Sequence, residues 1–149
     1  MARVRNVSLS AICYATEDIA KVVKSLGTLL GATIQTTRIS TNRAEGHYGD
    51  EITLVNINLE NKEAEDCAKR IFSSLDKQVI DLILSTANLR FDGSKLFLRF
   101  SKFDAYVGRI VLGEGGDSIK VVIAFSGYLK GKTYYNIFRE AGLIGESYA

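Results

Sequence analysis

The sequence predicts an α+β fold, a mostly antiparallel sheet with helices packed on one face, formed by residues 1–149 as a single domain. Three observations predict it. Helix-period and strand-period segments alternate in the order β-α-β-β-α-α-β-β-β-β-α. The later strands are joined by short glycine-containing connections that favour hairpins over parallel crossovers. The length of 149 residues suits one core of ordinary size.

The first strand is read from Val7, Leu9, Ala11 and Cys13, which recur at period two. Thr16 then reads as a helix N-cap, with Glu17 and Asp18 in the first turn and a stripe of Ile19, Val22, Val23, Leu26, Leu29 and Leu30 ending at Gly31. A strand over Thr33 to Ile39 follows, then a polar loop from Ser40 to Asp50 and a strand from Ile52 to Leu59. Asn61 can cap a second helix whose stripe is Ala64, Cys67, Ala68, Ile71, Phe72 and Leu75, and whose first turns hold Glu63, Glu65 and Asp66.

Ser74 or Asp76 starts a third helix through Val79, Ile80, Leu82, Ile83 and Leu84, although its β-branched content also permits a strand. Asp92-Gly93 marks a tight hairpin between Leu89-Arg90-Phe91 and the strand Ser94 to Phe100. Strands at Arg109 to Leu112 and Ser118 to Phe125 flank the connection Gly113 to Asp117, and a last helix spans about Lys132 to Ala141.

Composition narrows the function classes. Hydrophobic residues are 46% and charged residues 24% of the chain, the proportions of a folded domain. Proline is absent, which excludes Pro-rich linkers and polyproline ligand segments. The longest apolar runs are about five residues, such as Val121 to Phe125, against the roughly 18 a membrane helix needs. Arg3 and Arg5 ahead of Val7 to Ala15 imitate a signal peptide, but the stretch alternates with serines and runs into Thr16-Glu17-Asp18. Cys13 and Cys67 are single and widely spaced, which suits two reduced buried thiols and a cytoplasmic location.

Of two enzyme-like patterns, one fails on spacing and the other lacks the usual partners. Gly127-Tyr-Leu-Lys-Gly131-Lys132-Thr133 imitates a phosphate loop, but three residues rather than four separate its glycines, so the ring of backbone N–H groups is not completed. His47 is the only histidine, which leaves no His pair for zinc, and no serine sits in a Gly-x-Ser-x-Gly elbow. Catalysis centred on His47 would show as a functional defect of His47→Ala with folding intact. No catalytic residue, cofactor or metal is assigned.

Charge supplies the positive signal. The net charge is only +2, yet residues 1–44 carry +4, residues 45–88 carry −5 and residues 89–132 carry +4. The strand-rich flanks are therefore basic, as one electropositive face for phosphates requires. Lys95, Phe97 and Arg99 point to one side of a strand and, with Arg90 across the turn, combine cations with an aromatic ring. The same face also reads as a solvated surface or a dimer interface. Gly46 and Gly49 bracket His47-Tyr48, which displays an aromatic pair suited to base stacking or to packing on a neighbour.

Three stretches then resemble one family: Tyr14-Ala-Thr-Glu-Asp18 with its following helix, Gly46-His-Tyr-Gly-Asp-Glu-Ile52, and Leu96-Phe-Leu-Arg-Phe-Ser-Lys-Phe-Asp-Ala-Tyr-Val-Gly108. Together they resemble the archaeal RNA-binding proteins described as predicted exosome subunits, over nearly the full chain. The resemblance implies a fold similar to the large-subunit ribosomal protein that holds 5S rRNA, no catalytic activity, and a role in RNA binding or processing. It implies RNA as partner, with an RNA-processing complex or a homodimer as further partners. It points to His47, Tyr48, Arg99 and Lys102 as RNA-binding residues, supported by Arg43, Lys95 and Arg109. Where members place Asn-Pro after the second loop glycine, this chain has Asp50-Glu51, two acids that repel phosphate at the loop's exit.

Overall fold

The computed structural model describes residues 1–31, 39–45, 49–113, 115, 117–146 and 148. Their strands form a six-stranded sheet: β1 (Arg3–Cys13), β2 (Ser40–Glu45), β3 (Glu51–Glu60), β4 (Phe91–Asp92), β5 (Lys95–Ser101) and β6 (Ser118–Ser126), in the order β2-β3-β1-β6-β5-β4. Six helices accompany it: α1 (Ile19–Leu30), α2 (Asn61–Ser73), α3 (Lys77–Ser85), α4 (Ala87–Arg90), α5 (Lys102–Tyr106) and α6 (Tyr134–Glu140). The class is α+β, with antiparallel pairs at both edges of the sheet.

The described chain divides into two compact units. The first comprises Met1–Val7, Leu59–Leu98 and Val122–Ala149. Its core joins the α2 stripe of Ala64, Cys67, Ala68, Ile71 and Phe72 to Leu96, Leu98, Ile123 and Phe125 of the strands and to Ile137 and Phe138 of α6. Aromatic rings stack through it: Phe91 lies 4.9 Å from Tyr134 and 5.7 Å from Phe125 between centroids, and Phe72 meets Phe138 edge-on at 5.3 Å. Such pairs add about 0.5–1.5 kcal/mol each beyond their area.

The second unit comprises Ser8–Asn58 and Arg99–Val121. Leu26 and Leu29 of α1, both fully buried, join Leu9, Ala11, Val55, Ile57, Phe100, Ile119 and Val121 in its core. Helix α5 packs along α1, and the Thr28 and Ser25 hydroxyls donate to the Ala105 and Lys102 carbonyls. The Ala105 carbonyl also accepts from the Gly108 N–H at 3.1 Å, so the hydroxyl bonds add to the backbone closure of α5 and tie it to α1.

Several element boundaries differ from the sequence expectation, each for a local reason. Asp18, not Thr16, caps α1 by accepting from the Ala20 N–H at 3.0 Å, while the Glu17 carboxylate accepts from the Tyr14 N–H. Gly31 closes α1 in the left-handed region as expected (φ 75°). The expected strand Thr33 to Ile39 falls largely outside the described residues, and Ile39 itself is not in a strand. The polar stretch read as a loop from Ser40 is instead strand β2 as far as Glu45, pairing Ser40 with Asn56 and Glu45 with Glu51. An exposed edge strand is held by backbone bonds and needs no apolar alternation, so its polarity concealed it.

Asn61 does not cap α2 but is its first residue, at φ 53°, a conformation asparagine tolerates better than most. Asp76 caps α3 through the Val79 N–H, and the helix rather than the strand forms. Leu89 and Arg90 belong to the short α4, so β4 is only two residues long, and its pairing Asp92 with Lys95 moves the turn one place on, to Gly93-Ser94. The expected strand Arg109 to Leu112 reduces to one isolated bridge, Phe100 to Leu112.

Both cysteines are free and buried, and burial pushes the Cys67 thiol up to about 12. The thiolate, the reactive form, is therefore suppressed at both sites, since burial and the Glu17 charge also raise Cys13. Ellman's reagent at pH 8 is expected to leave the native protein almost unlabelled and to titrate two thiols in denaturant; rapid native labelling would show that the core opens.

Candidate nucleic-acid interface

Strand periodicity builds the site. Along β5, Leu96, Leu98 and Phe100 are buried while Lys95 and Arg99 are exposed and Phe97 is half-buried between them. Along β6, Ile119, Val121, Ile123 and Phe125 are buried, and Lys120, Val122, Ala124 and Ser126 alternate on the other side. In β1, Arg3 and Arg5 are exposed opposite the buried Val4. Successive side chains in a strand point to opposite faces, so Lys95 in the first unit and Arg99 and Lys120 in the second stand away from the buried residues of their strands. Arg3 and Arg5 share the parity of the buried Val7 and Leu9, and it is their exposure, with the Arg3 bond to Ser126, that sets them outward. No Asp or Glu occurs in β1, β5 or β6. Asp92 of β4 stands opposite Lys95 in register.

In the first unit this face presents Arg3, Arg5, Lys95 and Phe97, with Val122, Ala124 and Ser126 between them. Arg3 Nε donates to Ser126 Oγ at 3.2 Å, which aligns one guanidinium across adjacent strands. In the second unit it presents Arg99 and Lys120, and Arg99 donates to Ser118 Oγ at 3.2 Å. In both units a serine hydroxyl on β6 orients an arginine while leaving further N–H donors of its fork for a ligand.

The structure treats the expected site residues differently. It brings Lys95 and Arg99 to one side of β5, together with Phe97. Arg90 is not across the turn from them: it lies in α4 and donates to Thr86 Oγ1 at 2.8 Å. Arg43 is exposed and pairs with Glu51 at 3.2 Å; its register partner is Thr53, which shares the side of Val55 and Ile57, so Arg43 is on the opposite side of the sheet from Arg99. Arg109 follows α5 and pairs with Asp104 at 3.1 Å. His47 and Tyr48 lie outside the described residues.

Lys102 is not a surface cation. It is 5% exposed, and its ammonium donates to the Ile12 carbonyl and Glu17 at 2.8 Å and meets Asp117 at 3.0 Å, with the Tyr14 ring 5.2 Å away. Burial draws its pKa down, but hydrogen bonds to the two carboxylates and their charge more than offset this, so it stands above the ordinary lysine value. The ammonium ties the end of β1 and the entry to α1 to the residue before β6. A cleft of about 280 Å³ beside it is lined by both signs of charge, including Asp18, Lys21 and Asp117, and offers phosphate no consistent field.

Arg3, Arg5 and Lys120 escaped the sequence reading. The alternation Arg3-Val4-Arg5 was the available signal, since it extends the period of Val7 to Cys13 toward the N-terminus with one shift of parity. Helix α5 also had a signal, Ser101-x-x-Asp104, in which Ser101 Oγ accepts from the Asp104 N–H at 3.2 Å. The phosphate-loop imitation does run from strand to turn to helix, but Lys132 binds Glu140 at 2.6 Å and its charge is neutralised there.

A family model described as RNA binding matches residues 6–125. An uncharacterised protein of Methanocaldococcus jannaschii is 32% identical over 124 residues, 80% of this chain and 83% of that protein. An RNA-binding protein of Pyrococcus abyssi is 27% identical over 122 residues, 79% of each chain. A crystal structure of a DUF54 protein from Archaeoglobus fulgidus superposes with a TM-score of 0.79 at 30% identity, covering 93% of this chain and 99% of that one. No helix among the described residues is long and apolar enough to cross a membrane. The chain belongs to the RNA-binding family whose model spans residues 6–125.

Proposed function

We propose that this protein binds RNA without cutting it, through the open face of the sheet, as a cytoplasmic accessory of an exosome-type RNA-processing complex. The observation that carries the RNA contact is charge: the first unit presents Arg3, Arg5 and Lys95 and the second Arg99 and Lys120, on strands that hold no acid. Such cations neutralise phosphates, and Phe97, on the same side of its strand as Lys95, adds a ring that stacks on a base. The complex and the likeness to the 5S rRNA-binding ribosomal protein are supported by the sequence resemblance alone. Arg109, His47 and Tyr48 are secondary contacts in this proposal; Arg43, on the other side of the sheet from Arg99, is not, and Lys102 has a structural role.

A homodimer through the same face is the alternative, favoured by the apolar Phe97, Val122 and Ala124. Two copies meeting there would also bring their arginines together, which disfavours it. The test is binding to single-stranded, duplex and structured RNA across a salt series, with DNA as control and sedimentation alongside. Salt-dependent binding that favours RNA by a monomer is the expected result; a salt-independent dimer with no RNA affinity at physiological salt would overturn the proposal.

A further inference from the structure

The turn Gly127–Gly131 that follows β6 in the first unit is not explained by the basic face. Tyr128 on it is 67% exposed, although a tyrosine ring is large and mostly apolar. The turn is nevertheless held. Gly127 and Gly131 both adopt positive φ (96° and 81°), and a Cβ at Gly127 would collide with the Met1 carbonyl oxygen, so the chain there packs directly on the N-terminal residues. Ala2 donates its N–H to Glu140 Oε1 at 2.8 Å, and Glu140 also receives Lys132 at 2.6 Å. The Lys132 N–H closes the turn on the Leu129 carbonyl at 3.1 Å. Both ends of the turn are thus tied to the same few residues, and the ring stands out from a pre-organised backbone.

Its neighbour is the basic row. Ser126, two residues before Tyr128, holds the Arg3 guanidinium. Two residues of chain span at most about 7 Å, so the Tyr128 backbone lies about one nucleotide step from the serine that holds Arg3. We infer that Tyr128 is a stacking platform for an unpaired base of the RNA whose phosphates Arg3 and Arg5 neutralise, so that this end of the protein selects single-stranded over duplex RNA. The inference rests on the RNA-binding reading. A duplex buries its base faces in its own stack and leaves only phosphates to be met, whereas an unpaired base offers a face to the ring.

Tyr128→Ala and Tyr128→Phe are the variants, and both leave the core untouched because the side chain is exposed. The probes are an unstructured single-stranded RNA carrying 2-aminopurine and a blunt RNA duplex, titrated with the full chain over a salt series. The Ala variant is expected to lose about tenfold in affinity for the single strand, within the range for one stacked base, with its salt slope unchanged. It should also lose the 2-aminopurine fluorescence change, keep its duplex affinity, and be rescued by Phe. Wild-type affinity in Tyr128→Ala, or equal losses on both RNAs, overturns the inference while leaving RNA binding in place. A wild-type protein that binds neither RNA overturns both.

Discussion

Replacing Arg3, Arg5 and Arg99 together by glutamine is expected to weaken RNA binding on the order of a hundredfold near physiological salt, at about 1 kcal/mol for each lost phosphate contact. The salt series separates this from a packing defect. Each neutralised phosphate on a single strand contributes roughly 0.7 to the slope of log K against log salt, so removing three cations should flatten it by about two. All three arginines are exposed, and glutamine keeps much of the stem and one amide donor toward Ser126 or Ser118. Stability should therefore stay within about 0.5 kcal/mol of the parent. An unchanged slope with reduced affinity would show that the cations act through the fold, and unchanged affinity would place the RNA elsewhere.

Lys102→Met should do the reverse. Methionine keeps the apolar stem but removes the ammonium that joins the Ile12 carbonyl, Glu17 and Asp117. Breaking a buried charge cluster from one side costs about 3–5 kcal/mol when its partners stay desolvated. Asp117 has a side chain 70% exposed and rehydrates, so the lower end, about 3 kcal/mol, applies. For a chain of this size the melting temperature should fall by roughly 6–12 °C. RNA affinity measured well below that midpoint should change less than about threefold, because the buried ammonium reaches no phosphate. A thermally unaltered variant that loses RNA binding would restore Lys102 to the interface.

The same cluster sets an alkaline limb to stability. The folded pKa of Lys102 lies above the ordinary value, so the cluster contributes fully below the unfolded lysine pKa of about 10.4. That contribution is lost as pH rises through the folded value. Cys67 acts in the same window from the other side: its thiol stays neutral to about 12 when folded but ionises near 8.5 when unfolded, which stabilises the unfolded chain. Denaturation at pH 7 and pH 11 should show a smaller alkaline loss for Lys102→Met than for the parent.

The amino-acid sequence alone determined the helices with wide apolar stripes and the alternation of the long strands. Val22, Leu26 and Leu29, the α2 stripe, and the buried sets of β5 and β6 all lie where periodicity put them. These patterns are legible because helix and strand periods act on every residue of a segment through a single strong driving force, the removal of apolar surface from water. Lys95 and Arg99 inherit their common side from the same alternation. Edge strand β2 and the short α4 and α5 carry no such pattern, since backbone pairing and a single cap decide them.

Only tertiary structure decided which cations are available. By sequence, Lys102 is one more basic residue in a basic-aromatic strand end, no different from Arg99 three places before it. Folding brings Glu17 and Asp117 around it from distant parts of the chain, and the ammonium becomes a buried tie. Arg3 and Arg5 pass the other way, from an apparent leader to the exposed side of a strand whose neighbour β6 supplies Ser126. The physical reason is common to both: apolar burial is summed along a segment, whereas the state of a charge depends on which charges and polar groups long-range pairing places within a few ångströms of it.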